Sequence, residues 1–490
     1  MGRQNFFFSS LIAGYFSSAA NLAYTAISVP LALHYLSKEE FGLWALVVQI
    51  GGYLMLLDLG MSSSVARFLA DHKDEVNGRS YGDVIETGKV FFWIQALLLA
   101  VAGLACAAWG PKLLGIPREL TTVFQRVVFF YVLILALGLA LRIKSAPLWA
   151  HQRTDIGHWS TMANLCSALG VMGLGFFLGW GTYSFLAGAF AGTLWSSLLP
   201  WAACRRLKLL PERNLGSRFC RKLFVRMLGF GRDVLMMQLG GLLCAGSQII
   251  LVTKLFGLET AAVFSVATKT LAMGQQLIGR ILESAAPGLT ELFVRGERDR
   301  FSFRFYQMST LSVALATFAG IALMATNREF IGLWTHGKVV WNRGGDVLIG
   351  ALLISNVASR CFQGVFGMTG DLAKVRYLSL LEGVIFVGCV LGLKGWGGVC
   401  GILGAALATN FFVSGLGGCF QASRVVTVRG NWQTKLARLL VFYFLMAGAY
   451  GWAIQSFSSL LARVTITLIL LIGCGFSLVR KMRSTLGQAI

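Results

Sequence analysis

Lys269, Gln276, Arg280 and Glu283 are spaced by seven, four and three residues, which puts them on one stripe if the segment is an α-helix. Arg360, with Asn356 and Gln363 nearby, sits inside another apolar run, and Lys144 closes a third. These residue types suit anion binding. An arginine fork matches paired phosphate or carboxylate oxygens, whereas lysine supplies a point charge. The alternatives are local: Arg280 and Glu283 neutralise each other across one turn, and Arg360 and Lys144 snorkel to an interface or pair with a carboxylate. Lys269 has no such carboxylate on its stripe within a turn. Asp58 and Glu382 are the acids deep in apolar runs, and a carboxylate there suits proton or sodium coupling. The other reading of Asp58 is a structural pair with Lys89 or Lys144.

Covalent chemistry has no comparable signal. The chain lacks G-x-x-x-x-G-K-[ST], G-x-S-x-G and zinc-ligand spacing. Ten cysteines include no CxxC, and most, such as Cys106, Cys166, Cys244, Cys389 and Cys419, lie in apolar stretches, where they pack as small apolar residues. The five histidines are scattered. No metal, cofactor or catalytic residue is expected.

The elements that must hold these side chains follow from composition. Of 490 residues, 56% are apolar and only 13% charged, against about 25% charged in a soluble domain. There is too little polar surface to solvate such a chain, so the bilayer is its solvent. The net charge of +22 is spread over short loops rather than on one domain face, which argues against a nucleic-acid partner.

A helix needs roughly 20 apolar residues to cross about 30 Å of hydrocarbon. Fourteen such spans are expected, at about 8–34, 42–69, 84–108, 122–143, 157–179, 182–206, 227–256, 259–287, 303–326, 346–368, 372–393, 398–422, 434–455 and 459–480. The alternating pattern of a membrane barrel is absent. With the N-terminus in the cytoplasm, the inner loops collect about 30 of the 43 basic residues and the outer loops about 10. Both ends are therefore expected inside, with Lys269, Arg280 and Arg360 within spans. The first apolar run is too long for a signal-peptide core and is read as a retained helix. Pro30 and Pro287 are candidate kinks and gating points. Gly188 and Gly192 form a small-xxx-small pair suited to close helix packing.

An internal repeat is also expected. At an offset of 216, Asp155 meets Asp371, Gly179-Trp180-Gly181 meets Gly395-Trp396-Gly397, and Lys144 meets Arg360. At 220, residues 36–44 (LSKEEFGLW) resemble 256–264 (FGLETAAVF). The expected organisation is an N-lobe at 1–206, a basic cytoplasmic linker at 207–226, a C-lobe at 227–425 and an extension of two helices at 426–490. Two six-helix lobes in the same orientation form a parallel repeat with a cavity between them, an architecture suited to alternating access. The fold class is thus an all-α polytopic membrane protein of about fourteen transmembrane helices.

Several segments resemble one family. Residues 35–70, with the run Leu56-Leu-Asp-Leu-Gly60, are similar to the first loop and second helix of polysaccharide exporters, the O-antigen flippase relatives of the multidrug/oligosaccharidyl-lipid/polysaccharide superfamily. Residues 251–301, with Pro287 and the charged stretch from Arg295 to Arg300, are similar to its eighth helix, and residues 395–412 to its twelfth. The resemblance covers about residues 1–425. It implies export of a polyprenyl-diphosphate-linked oligosaccharide across the bacterial inner membrane for surface polysaccharides such as lipopolysaccharide O-antigen. Spans thirteen and fourteen, outside the repeat, would then meet the lipid tail or a polymerase or glycosyltransferase partner.

Two departures narrow this. Lipid II flippases of the superfamily carry a basic cluster in helix 1, and helix 1 here has no Lys or Arg. The multidrug branch carries acids in its N-lobe cavity, and here Asp58 is the one acid deep in the first two helices. An ion-coupled multidrug antiporter is the first alternative, and a membrane enzyme of polysaccharide assembly the second.

Overall fold

The apolar runs become helices because a backbone in lipid must satisfy its own hydrogen bonds. The computed structural model describes residues 3–72, 75–151, 153–211, 218–369, 372–393 and 396–423, with 450, 463, 465 and 467. Among these, every regular element is helical. In chain order they are α1 (Arg3–Tyr35), α2 (Lys38–Leu54), α3 (Met61–Asp71), α4 (Arg79–Leu114), α5 (Arg118–Leu141), α6 (Ala146–Ala150), α7 (Thr154–Phe177) and α8 (Tyr183–Arg206). There follow α9 (Arg221–Gly241), α10 (Ser247–Val294), α11 (Arg298–Trp334), α12 (Arg343–Thr369), α13 (Leu372–Gly392), α14 (Gly398–Thr409) and α15 (Gly418–Ser423). Nine helical stretches among the described residues are long and apolar enough to cross a bilayer. The protein is an all-α polytopic membrane protein. Spans thirteen and fourteen lie outside the described residues, apart from the four single positions, and so do Asp371 and Gly395 of the repeat.

The helices gather into two units, Met1–Ser265 and Val266–Ile490. In the first, Leu43, Leu46 and Val47 of α2 pack with Phe124, Val127, Val128 and Val132 of α5. A second cluster joins Met61 and Val65 of α3 to Tyr81 and Phe92 of α4, Leu139 of α5 and Met227 of α9. The start of α2 is set by sequence. Ser37 Oγ accepts from the Glu40 amide while the Ser37 amide donates to Glu40 Oε2 at 2.9 Å, a reciprocal cap on the helix N-terminus. One turn on, Gly42 lies so close to Leu258 that a Cβ would fall 2.1 Å from its carbonyl oxygen, and Lys38 Nζ reaches Glu259 Oε1 at 3.0 Å. The two stretches that resemble each other at the 220 offset therefore touch.

The pair Gly188 and Gly192 packs α8 on α7. A Cβ on Gly188 would meet the Ala168 carbonyl oxygen at 2.6 Å, and one on Gly192 would meet Asn164 Oδ1 at 2.8 Å. Gly188→Val must push backbone from backbone, so a loss of about 1–3 kcal/mol is expected, as for overpacking elsewhere. It would be read as a lower melting temperature in detergent; an unchanged value would show that α7 and α8 do not rest on this contact.

In the second unit, Gly320 of α11 and Gly350 of α12 face each other, each within 2.8 Å of the other's carbonyl oxygen once a Cβ is added. This close approach aligns α12, which carries Arg360, beside α11. The helices continue through Pro30 to Tyr35 and through Pro287 to Val294. The pronounced breaks are elsewhere. Gly257, at φ 84° and ψ 176°, interrupts α10 in a conformation open essentially to glycine alone.

Span two departs from expectation. The sequence predicts one helix over 42–69, but a 3-10 turn at Met55–Asp58 and left-handed Leu59 (φ 50°) and Gly60 (φ 70°) separate α2 from α3. The loosened backbone is held by its neighbours. Gln95 Nε2 of α4 donates to the Leu57 carbonyl at 2.7 Å, and Ser64 Oγ donates to the Met227 carbonyl at 2.8 Å.

Candidate functional site

The stripe expected on span eight is present on α10, and three of its four members meet Arg360. Gln276, Arg280 and Glu283, with Ala272 and Gln275, line a cavity of about 240 Å³ that Arg360 of α12 also lines. Gly279 makes room for it, since a Cβ there would come within 3.3 Å of Arg360 Nη1. Arg280 Nη1 is 3.0 Å from Glu283 Oε2, so the local neutralisation weighed from the sequence does occur. Arg360 has no ion-pair or hydrogen-bond partner among the described residues. The site thus holds two guanidinium groups, one carboxylate and two amides, an excess of one positive charge. Such a set can take an anion with Arg360 as the free cation and the amides as donors to its other oxygens.

Other expected members are elsewhere. Lys269 is half-buried on α10 and does not line this cavity. Gln363 turns away and donates to Ser414 Oγ at 3.0 Å. Lys144 lies in the first unit with its Nζ 5.3 Å from the Trp201 ring centroid, a ring that Arg205 also approaches at 4.0 Å. Pro30 and Pro287 are on α1 and α10, and Pro287 follows the cavity stripe by four residues. Gln275 is the lining residue that sequence reasoning missed.

Asp58 is buried in the turn between α2 and α3. Its expected partners are wrong: Lys89 pairs with Glu86 at 3.3 Å, and Lys144 sits on Trp201. Asp58 Oδ1 instead accepts from Ser62 Oγ at 2.8 Å, Ser62 Oγ accepts from Arg142 Nη1 at 2.9 Å, and the Arg142 guanidinium lies 3.7 Å from the carboxylate.

Glu382 of α13 is buried among neutral donors. It accepts from Asn410 Nδ2 at 2.9 Å and from Ser414 Oγ, while Ser355 and Ser359 of α12 donate to Asn410 Oδ1 at 2.6 and 3.1 Å. It forms no ion pair among the described residues.

A further polar cluster in the second unit has no sequence signal beyond its residue types. Thr270 Oγ1 of α10 donates to Asn327 Oδ1 at 2.8 Å, and Asn327 Nδ2 of α11 donates to Asp346 Oδ1 of α12 at 2.8 Å. Asn327 and Asp346 are 0% and 2% exposed, so the chain is sealed from solvent and ties three helices together. Among the described residues, no group of His, Cys, Asp and Glu is placed to hold a metal ion.

The polysaccharide biosynthesis protein family matches residues 8–293, more than half of the chain. The chain belongs to that family. None of the curated proteins compared with this family member matches it. Solved structures do. The lipid II flippase MurJ in an inward closed conformation is similar at 12% identity and a TM-score of 0.67, over 96% of this chain and 98% of that one. An inward-facing multidrug resistance MATE family transporter of the MOP superfamily is similar at 15% identity and 0.64, over 85% and 98%. A MOP superfamily transporter from Pyrococcus furiosus, whose binding pocket is described as reversed in polarity and suggestive of a different function, is similar at 13% and 0.61, over 86% and 96%. At these identities the likeness is one of fold. This family member shares the fold of those transporters.

Proposed function

We propose that the protein moves a polyprenyl-diphosphate-linked oligosaccharide across the bacterial inner membrane by alternating access, for surface polysaccharide biosynthesis. The observation that carries this is Arg360, a guanidinium without a partner among the described residues, at a cavity with Arg280, Gln275 and Gln276. An uncompensated arginine between membrane helices is costly and calls for a ligand. At about 240 Å³ the cavity is smaller than the roughly 300–1,000 Å³ that holds a drug-sized molecule. It suits one small charged group, such as the diphosphate, with the glycan extending beyond it. The family supports a place in polysaccharide biosynthesis, and the fold is one shared with a lipid flippase.

A cation-exporting multidrug antiporter would need an acidic lining, and the sign here is opposite. An enzyme of polysaccharide assembly would need paired acids or a nucleophile at the cavity, where a single carboxylate lies beside Arg280. Of the two carboxylates that could couple transport to an ion gradient, Asp58 is already matched by Arg142. Glu382, among hydroxyls and an amide, is the one we assign. The basic excess in alternate loops supports cytoplasmic N- and C-termini. The extension at 426–490 is assigned to the lipid tail or a polymerase or glycosyltransferase partner.

The test is a deletion strain. It should lose one surface glycan and accumulate that glycan's lipid-linked precursor on the cytoplasmic side. Unchanged surface glycans with heightened sensitivity to cationic drugs would replace this reading with the antiporter.

A further inference from the structure

The break between α2 and α3 is a second place where a cation is held ready without being used up. The break lies at the end of the apolar stretch Lys38–Asp58, and non-helical backbone in a membrane protein persists only where it is buried in protein or lines a polar cavity. Here the discontinuity is buttressed on three sides. Gln95 caps the Leu57 carbonyl, Ser64 anchors α3 to Met227, and Gly231 of α9 lies so close that a Cβ would fall 2.4 Å from the Leu59 carbonyl oxygen.

Into this break comes Arg142, at the end of α5. Its Nη1 donates to Ser62 Oγ, and Asp58 lies 3.7 Å away. Among the described residues its Nη2 and Nε have no partner. The side chain is 40% exposed, whereas that of Asp58 is 8% exposed. One edge of the guanidinium is therefore fixed by a buried brace, and the other edge is presented outward. A fork oriented in this way suits two oxygens of a phosphoryl group.

Depth fixes where such a group would come from. Twenty-four residues of α5 span about 36 Å at 1.5 Å per residue, a little more than the hydrocarbon core of about 30 Å. Arg142 then lies at headgroup level, on the cytoplasmic side in the orientation proposed above. Lys144 lies instead over the Trp201 ring, 5.3 Å from its centroid.

We infer that Arg142, braced by Asp58 and Ser62 at the break between α2 and α3, is a phosphoryl-binding site where the diphosphate of the lipid-linked substrate is first engaged from the cytoplasmic leaflet. This rests on the function proposed above. Asp58 and Ser62 are positioning residues. Arg142 is the contact. The protein then carries two anion sites, Arg142 in the first unit and Arg360 in the second.

The test uses the full-length protein in nanodiscs of neutral phosphatidylcholine, titrated with polyprenyl diphosphate and, separately, with the polyprenyl alcohol. Arg142→Gln should weaken diphosphate binding about tenfold or more, the scale of a lost charged hydrogen bond, and leave binding of the alcohol unchanged. Arg142→Lys should fall between. Because Arg142→Gln strands the buried Asp58, the double variant Asp58→Asn/Arg142→Gln is run beside it and should lose the same affinity. Normal diphosphate binding by the double variant overturns the inference. So does an equal loss for the alcohol, which would mean a purely structural role. A third arm replaces part of the phosphatidylcholine with phosphatidylglycerol: if that lipid occupies the site as well as the diphosphate does, the ligand is the bulk headgroup and the carrier assignment falls. Loss of binding in Arg360→Gln but not in Arg142→Gln sinks this site and leaves the cavity reading intact. Failure of the unmodified protein to bind diphosphate sinks both.

Discussion

Arg360→Ala should reduce export of the surface polysaccharide to about a tenth of normal or less, with the protein inserted at its usual level. The magnitude follows from the chemistry of a guanidinium–phosphate contact. A hydrogen bond to a charged group contributes about 1.5–3 kcal/mol net, which is roughly ten- to a hundredfold in affinity. Folding should suffer little, because no described carboxylate depends on Arg360 and the side chain is exposed to its cavity. Arg360→Lys keeps the charge but loses the fork, so partial export is expected. Arg280→Ala is the sharper comparison. Arg280 is engaged with Glu283 at 3.0 Å, so its removal frees a carboxylate beside the substrate and repels the anion as well as losing a donor. Quantifying the surface glycan alongside the lipid-linked precursor separates a transport defect from a synthesis defect. Wild-type glycan in Arg360→Ala would remove the cavity from the mechanism.

The helical stripe on α10 was legible because a spacing of seven, four and three survives in any straight helix. Its meeting with Arg360 was not, since eighty residues separate Arg280 from Arg360 and only packing brings α10 and α12 together. The packing role of Gly188 follows from local chemistry and was equally readable. The break after Leu54 was hidden. A left-handed Leu59 is unusual for a branched side chain, and the surrounding leucines read as continuous helix, so Gly60 was the one local hint. The consequence reaches the chemistry. A continuous helix leaves Lys89 and Lys144 of other spans as the expected partners of Asp58, whereas the broken one brings in Ser62 and Arg142. The Thr270–Asn327–Asp346 chain fails for a related reason. Each residue is ordinary in its own segment, and the network exists only once three helices are aligned.

The largest effect on stability is expected at Arg463, 3% exposed in the second unit. Its Nη1 donates to the Ala325 carbonyl at 3.2 Å and its Nη2 engages Glu329 Oε1, both on α11. Arg463 falls in the segment 459–480 where the sequence predicts the last span, so this contact fixes at least that position to the body of the unit. Removing one partner of a buried pair leaves the other charge without compensation and costs about 3–5 kcal/mol, whereas removing both together is often nearly neutral. Arg463→Met should therefore lower the melting temperature in detergent substantially, and Arg463→Met with Glu329→Gln should recover much of the loss. That pattern distinguishes a stranded carboxylate from lost packing, because a cavity left by a truncated side chain would not be repaired at Glu329. If the double variant melts as low as the single one, the ion pair is not what joins this segment to α11. If the single variant melts as the unmodified protein does, Arg463 carries no share of the stability at all. An intermediate point also matters for transport. The double variant, with its charges gone and its fold kept, should still export glycan, since neither residue touches the cavity around Arg360.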